Sequence, residues 1–190
     1  MASFVGHFIT GTAIYLYSDN ALSKSRTWMF WLIFMAIFPD IDYGFIWLFG
    51  IKSDIRMTHS FIFSSILPVF TTIYLKLSPL CEYNKNQVIQ AFGSAYSHLL
   101  LDVLTGVSVL PLLWPFTEQL FKLPFGILPS AGRLALTNWY LYRNLIIELG
   151  ILLPIYSFIL MGAVRNQLLL SVLHILIFIL FLVWGIMLER

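Results

Sequence analysis

The sequence predicts an all-α, polytopic membrane helix bundle of about six spans, and three observations predict it. Apolar residues make up 59% of the chain and charged residues 11%, where a soluble domain carries about 25% charged. Mean hydropathy is +0.87. The apolar residues fall into long runs divided by short polar connections, and a spanning helix needs roughly 20 mainly apolar residues.

The first run, about Ala2 to Tyr17, is short. It has no basic stretch before it and no small-x-small site after it, so it reads as part of the mature chain rather than a cleaved signal. The second runs from Thr27 to Gly50 and the third from Thr58 to Leu77. The fourth spans Val88 to Trp114, the fifth Asn144 to Val164 and the sixth Leu168 to Leu188. The connection from Pro115 to Arg143 holds Pro115, Pro124, Pro129, Gly126 and Gly132, which rule out one continuous helix. Its Phe116, Phe121, Phe125, Trp139, Tyr140 and Tyr142 favour the headgroup layer, so it reads as an aromatic-rich interfacial segment. No internal repeat is evident, and residues 1–190 read as a single integral membrane domain.

A net charge of +2, without a Lys/Arg cluster or zinc-finger spacing, gives no sign of a nucleic-acid partner. The one cysteine, Cys81, excludes an intrachain disulfide and a thiolate metal cage. Alternating spans put Lys52, Arg56, Lys122, Arg133, Arg143 and Arg190 on one face. Lys24, Arg26, Lys76, Lys85 and Arg165 fall on the other, so the positive-inside rule sets no orientation. Oligomeric state is left open.

Alternation does place His7, Asp40, Asp42, His59, His98 and Asp102 in one layer, with Glu148 joining it and His174 towards the other face. An Asp at the centre of a membrane helix costs about 2.5–3.5 kcal/mol on insertion scales, and a bound metal would offset that cost. His98 and Asp102 are four apart, one turn along one helix face. Asp40 and Asp42 are two apart and point roughly 200° away from each other on a regular helix. Both can face one site only if Pro39 interrupts the helix. Arg56 is placed to clamp an anionic group, and Glu148 to move a proton or serve as a ligand. Ser60 and Ser97 each neighbour a histidine, but adjacent residues on a helix do not face each other, which argues against a Ser–His nucleophile. Three histidines and three aspartates suffice for one or two divalent ions, with Zn favoured and Mn or Fe also suited to mixed N/O ligands.

His7, Pro39-Asp40-Ile41-Asp42, Arg56-Met57-Thr58-His59-Ser60 and His98-Leu99-Leu100-Leu101-Asp102 together resemble the LexA-regulated, membrane-bound metal-dependent hydrolase family (YdjM-like). Leu104-Thr105-Gly106-Val107 and Leu112-Leu113-Trp114-Pro115-Phe116 extend the likeness, which covers about residues 4–126. The resemblance implies a metal-dependent hydrolase in a prokaryotic inner membrane. With the apolar surroundings, the expected substrate is a phosphoester or other ester of a lipid or lipid-linked compound. The alternative is a divalent-metal or proton transporter or channel using the same His/Asp cluster. Transport needs polar residues through both halves of the membrane, and only His174 marks the second half, which favours the enzyme.

Overall fold

The computed structural model describes residues 2–17, 25–50, 55–78, 84–130, 137–161 and 168–188. Cys81, Lys24, Lys52, Arg133, Arg165 and Arg190 lie outside them. The protein is all-helical: α1 (Phe4–Leu16), α2 (Arg26–Ile37), α3 (Ile41–Phe49), α4 (Phe61–Leu77), α5 (Lys85–Leu104), α6 (Trp139–Met161) and α7 (Leu168–Ile186). No strand forms among the described residues, and a single antiparallel bridge pairs Leu110 with Phe121.

Local chemistry sets the helix boundaries. Ser25 Oγ accepts Trp28 N–H at 3.0 Å and starts α2, and Ser60 Oγ accepts Phe63 N–H at 3.2 Å and starts α4. Each satisfies a donor that a helix start leaves open. α2 does not run on through Pro39. A 3-10 turn, Phe38–Asp40, separates it from α3, because proline offers no backbone donor and crowds the preceding turn.

The largest differences from the sequence expectation fall at two boundaries. α5 stops at Leu104, not Trp114. Gly106 turns at φ +62°, and Leu104 O is capped by Ile127 N–H at 2.8 Å and Leu128 N–H at 3.0 Å. α6 starts at Trp139, not Asn144, with Asn138 Oδ1 accepting Tyr140 N–H at 3.2 Å.

The chain divides into two compact units, whose boundaries fall inside α1, inside α5 and on either side of residues 109–121. One comprises His7–Leu100 and Val109–Phe121. Its core packs Trp28, Leu32 and Met35 of α2 against Ala91 and Ala95 of α5. A Cβ at Gly11 would come within 2.9 Å of the Ile33 backbone, so α1 and α2 approach closely there. Hydrogen bonds stitch the same helices. Trp28 Nε1 donates to Gln90 Oε1 (2.9 Å), Gln90 Nε2 to Ile14 O (2.8 Å) and Ser94 Oγ to Leu32 O (2.6 Å).

The other unit comprises Met1–Gly6, Leu101–Ser108 and Lys122–Arg190. Leu101, Leu128, Ile147, Ile151 and Leu152 form its core, with Phe178 and Phe181 of α7 against it. A Cβ at Gly150 would collide with the Phe181 ring, so α6 and α7 pack at that glycine.

Gly106 gives a stability test. A side chain there would be strained at positive φ and would run into the Phe125 carbonyl. Gly106→Ala should cost about 1–3 kcal/mol, read as a lowered unfolding midpoint in detergent. An unchanged midpoint would contradict this account of how α5 ends.

Trp139–Leu160 is long and apolar enough to cross a membrane by itself, and Phe4–Leu16, Phe61–Leu77 and Leu170–Ile186 are apolar but shorter. α1, at 13 residues, extends only about 20 Å at 1.5 Å per residue. Phe116 and Phe125 of the long connection and Trp139 and Tyr140 at the start of α6 have exposed rings.

Candidate metal centre

The interruption at Pro39 turns Asp40 into the unit containing α2, α4 and α5, where it is buried. His59 ends a second 3-10 turn, Met57–His59, just before α4, and His98 lies on α5. All three side chains are at most 1% exposed. His59 Nε2 stands 3.3 Å from Asp40 Oδ1 and 3.3 Å from His98 Nε2, and His98 Nε2 is 3.6 Å from Asp40 Oδ1. Asp102 follows His98 by one turn on the same helix and is also buried. The two residues bring ligand atoms within 4.8 Å of each other. The chain therefore carries a buried group, Asp40, His59 and His98, of a kind that can hold a metal ion, with Asp102 one turn further along α5.

Three observations fit that donor set to a cation. A tetrahedral ion with bonds of roughly 2.0–2.1 Å has ligand-to-ligand edges of roughly 3.3–3.4 Å, close to the separations in the Asp40, His59 and His98 triangle. His98 Nδ1 donates to Ala36 O at 2.7 Å. A carbonyl can only accept, so in the neutral imidazole Nε2 carries the lone pair and faces the triangle. A backbone carbonyl holding the far nitrogen is the usual outer support of a metal-binding histidine. Asp40 Oδ2 is buried with no hydrogen-bond partner among the described residues, a costly arrangement for a carboxylate unless a cation is bound nearby.

The remaining candidates have other neighbours. His7 is buried on α1 and stacks on His98, with ring centroids 3.9 Å apart and planes 14° off parallel. Asp42 takes a two-pronged hydrogen bond from Arg56, Nε to Oδ2 at 2.7 Å and Nη2 to Oδ1 at 2.9 Å. Arg56 Nη2 also reaches Asp40 Oδ1 at 3.4 Å, and its guanidinium lies 4.6 Å over the Tyr43 ring. Burial acts to lower the Arg56 pKa. The hydrogen bond and charge of Asp42, with smaller contributions from Tyr43 and Asp40, outweigh it and hold the guanidinium above its ordinary value.

Glu148 belongs to the other unit, where its two oxygens accept Ser3 N–H at 3.0 and 3.3 Å. In that same unit Asp102 Oδ1 accepts Ala2 N–H at 2.8 Å. His174 lies on α7 and donates Nδ1–H to Leu170 O at 2.6 Å.

Sequence reasoning passed over the supporting groups. Ala36 acts through its carbonyl, which leaves no mark in the side-chain pattern. Thr58 Oγ1 lies 2.9 Å from His59 Nδ1. The two are sequence neighbours that meet because Met57–His59 is a 3-10 turn, not part of α4. Ser60 caps α4, and Ser97 Oγ donates to Ser94 O at 2.7 Å.

Compared with known families, residues 1–190 match the family model described as YdjM inner membrane protein. Comparison with curated proteins and with solved structures finds no match.

Proposed function

The chain belongs to the YdjM inner membrane protein family, and on that premise we propose that it is a membrane-bound metal-dependent hydrolase. Its substrate is an ester, a phosphoester above all, of a lipid or lipid-linked compound. The six helical segments cross the inner membrane, with α2 and α3 counting as one interrupted span. The observation that carries the reading is the buried triangle of Asp40, His59 and His98, with ligand separations of 3.3–3.6 Å. Those edges suit one four-coordinate ion, and Zn is the ion we propose for mixed N/O ligands. In this reading Asp40, His59 and His98 bind the ion and its fourth position stays open to water or an ester oxygen, as catalysis at zinc requires. Asp102, one turn beyond His98, accepts the Ala2 N–H at 2.8 Å.

A bound divalent ion would supply Lewis acidity towards an ester oxygen and neutralise charge that develops on it. Ala36 O fixes the ring of His98, and Thr58 Oγ1 does the same for His59 from the opposite nitrogen. The ligand side chains are shut off from water, which strengthens every charge interaction among them. Arg56 and Asp42 keep 23% and 17% of their side chains exposed and form the accessible rim. An anionic group entering from that rim meets Arg56 first.

The transporter reading draws support from a polar stripe on α5, the buried Gln90, Ser94 and His98. Gln90 and Ser94, however, are bonded to the backbone carbonyls of Ile14 and Leu32. They act as helix-to-helix ties rather than as stations on a path.

The test is phosphoester hydrolysis by purified protein in lipid–detergent micelles. Chelation should abolish turnover and zinc restore it, while Asp40→Asn stays inactive. Turnover indifferent to chelation, or a metal-loaded protein inactive on every lipid phosphoester offered, would contradict the reading.

A further inference from the structure

We propose that Asp42 is a positioning residue and not a metal ligand. It holds Arg56 so that the unused edge of the guanidinium receives a phosphoryl group of the substrate at the rim of the site. This rests on the hydrolase reading above.

The geometry separates the two aspartates. Asp40 is buried and turns Oδ1 towards both histidine Nε2 atoms. Asp42 has each oxygen on a different Arg56 nitrogen. Its nearest imidazole contact is His59 Nδ1 at 3.9 Å, a nitrogen that already faces Thr58 Oγ1. A two-pronged arginine–carboxylate pair is directional and among the stronger hydrogen-bonded contacts. The Tyr43 ring under the guanidinium adds a second restraint on its plane.

Arg56 is therefore held at a fixed angle before any ligand arrives. Its bonds use Nε and Nη2, and none among the described residues uses Nη1. Nη1 keeps its two N–H donors for phosphoryl oxygens, and each such bond is charge-assisted. Nη2 meanwhile sits 3.4 Å from Asp40 Oδ1, so a phosphate on Arg56 would lie beside the ligand triangle. The requirement is chemical. A phosphomonoester or phosphodiester fits, and a neutral carboxylic ester lacks the charge that Arg56 is set to receive.

The test uses the full-length, zinc-loaded protein in detergent and reads zinc content and phosphate affinity separately. The probes are inorganic phosphate and a short-chain phosphatidic acid. Wild type should bind both if the phosphoryl group alone is recognised, and only the lipid if the acyl chains are needed as well. Asp42→Asn and Arg56→Lys should keep their zinc yet bind the recognised probe about 10-fold or more weakly. The double variant should lose little beyond either single one, because the two residues act as a unit. Arg56→Lys retains the charge and the aliphatic stem, and serves as the second variant should Asp42→Asn fold poorly. Loss of zinc from Asp42→Asn to the extent seen in Asp40→Asn would make Asp42 a ligand and overturn the proposal. Unchanged probe binding in both zinc-loaded variants would overturn it too. A wild-type protein unable to bind zinc at all would instead overturn the hydrolase reading on which it rests.

Discussion

His98→Ala combined with Asp102→Ala should strip zinc from the purified protein, and Asp40→Asn alone should weaken binding severely. Losing an outer support of a metal ligand costs about 10–100-fold in affinity, and losing a ligand itself should cost more. His98 contributes twice, through Nε2 in the triangle and through the Ala36 carbonyl that fixes its ring. Removing it also leaves His59 and Asp40 facing a cavity. His174→Ala is the control. His174 is tied to Leu170 O on α7, so metal content should not change. The measurement is metal per protein by mass spectrometry after detergent purification. Full zinc occupancy in the double variant would contradict the ligand assignment.

Glu148→Ala should destabilise the fold by about 3 kcal/mol, through a cavity and a buried Ser3 N–H left without its acceptor. Ser3 precedes α1, and Ser3 Oγ caps the Gly6 N–H at 3.0 Å. The carboxylate therefore sits at a helix start, where negative charge is favourable. A Cβ on Gly6 would strike Glu148 Oε1, so that helix start is packed tightly against Glu148. Glu148→Gln keeps the volume and one acceptor oxygen and should cost far less. The pair of variants separates an anchoring role from a proton-carrying one. An anchor loses stability in the alanine variant and keeps turnover in the glutamine variant. A proton carrier keeps its unfolding midpoint in both and loses turnover in both.

The residues of the centre were legible in the sequence for a physical reason. Buried Asp and His are expensive in apolar surroundings, so their presence in apolar runs marks them as partnered. The prediction that Pro39 breaks the second segment matches the 3-10 turn at Phe38–Asp40, since proline's effect on a helix is local. What could not be read depends on tertiary contact. Asp40 and Asp42 look equivalent in sequence, yet one faces two imidazoles and the other faces Arg56. Their roles separate only once Arg56 is placed. Thr58 was hidden by the assumption that its segment is regular helix. The early end of α5 depends on Leu104 meeting Ile127 and Leu128, partners more than 20 residues away. Hydropathy found the apolar runs and the shortness of the first, but not that α4 is shorter than a full span.

The central claim is that Asp40, His59 and His98 hold one four-coordinate ion. X-ray absorption at the zinc edge on the purified protein tests it most directly. The account predicts about four N/O ligands at roughly 2.0–2.1 Å, with the outer-shell scattering of two imidazoles, falling to one in His98→Ala protein that retains any zinc. A six-coordinate spectrum without imidazole scattering, or one that His98→Ala leaves unchanged, would contradict it.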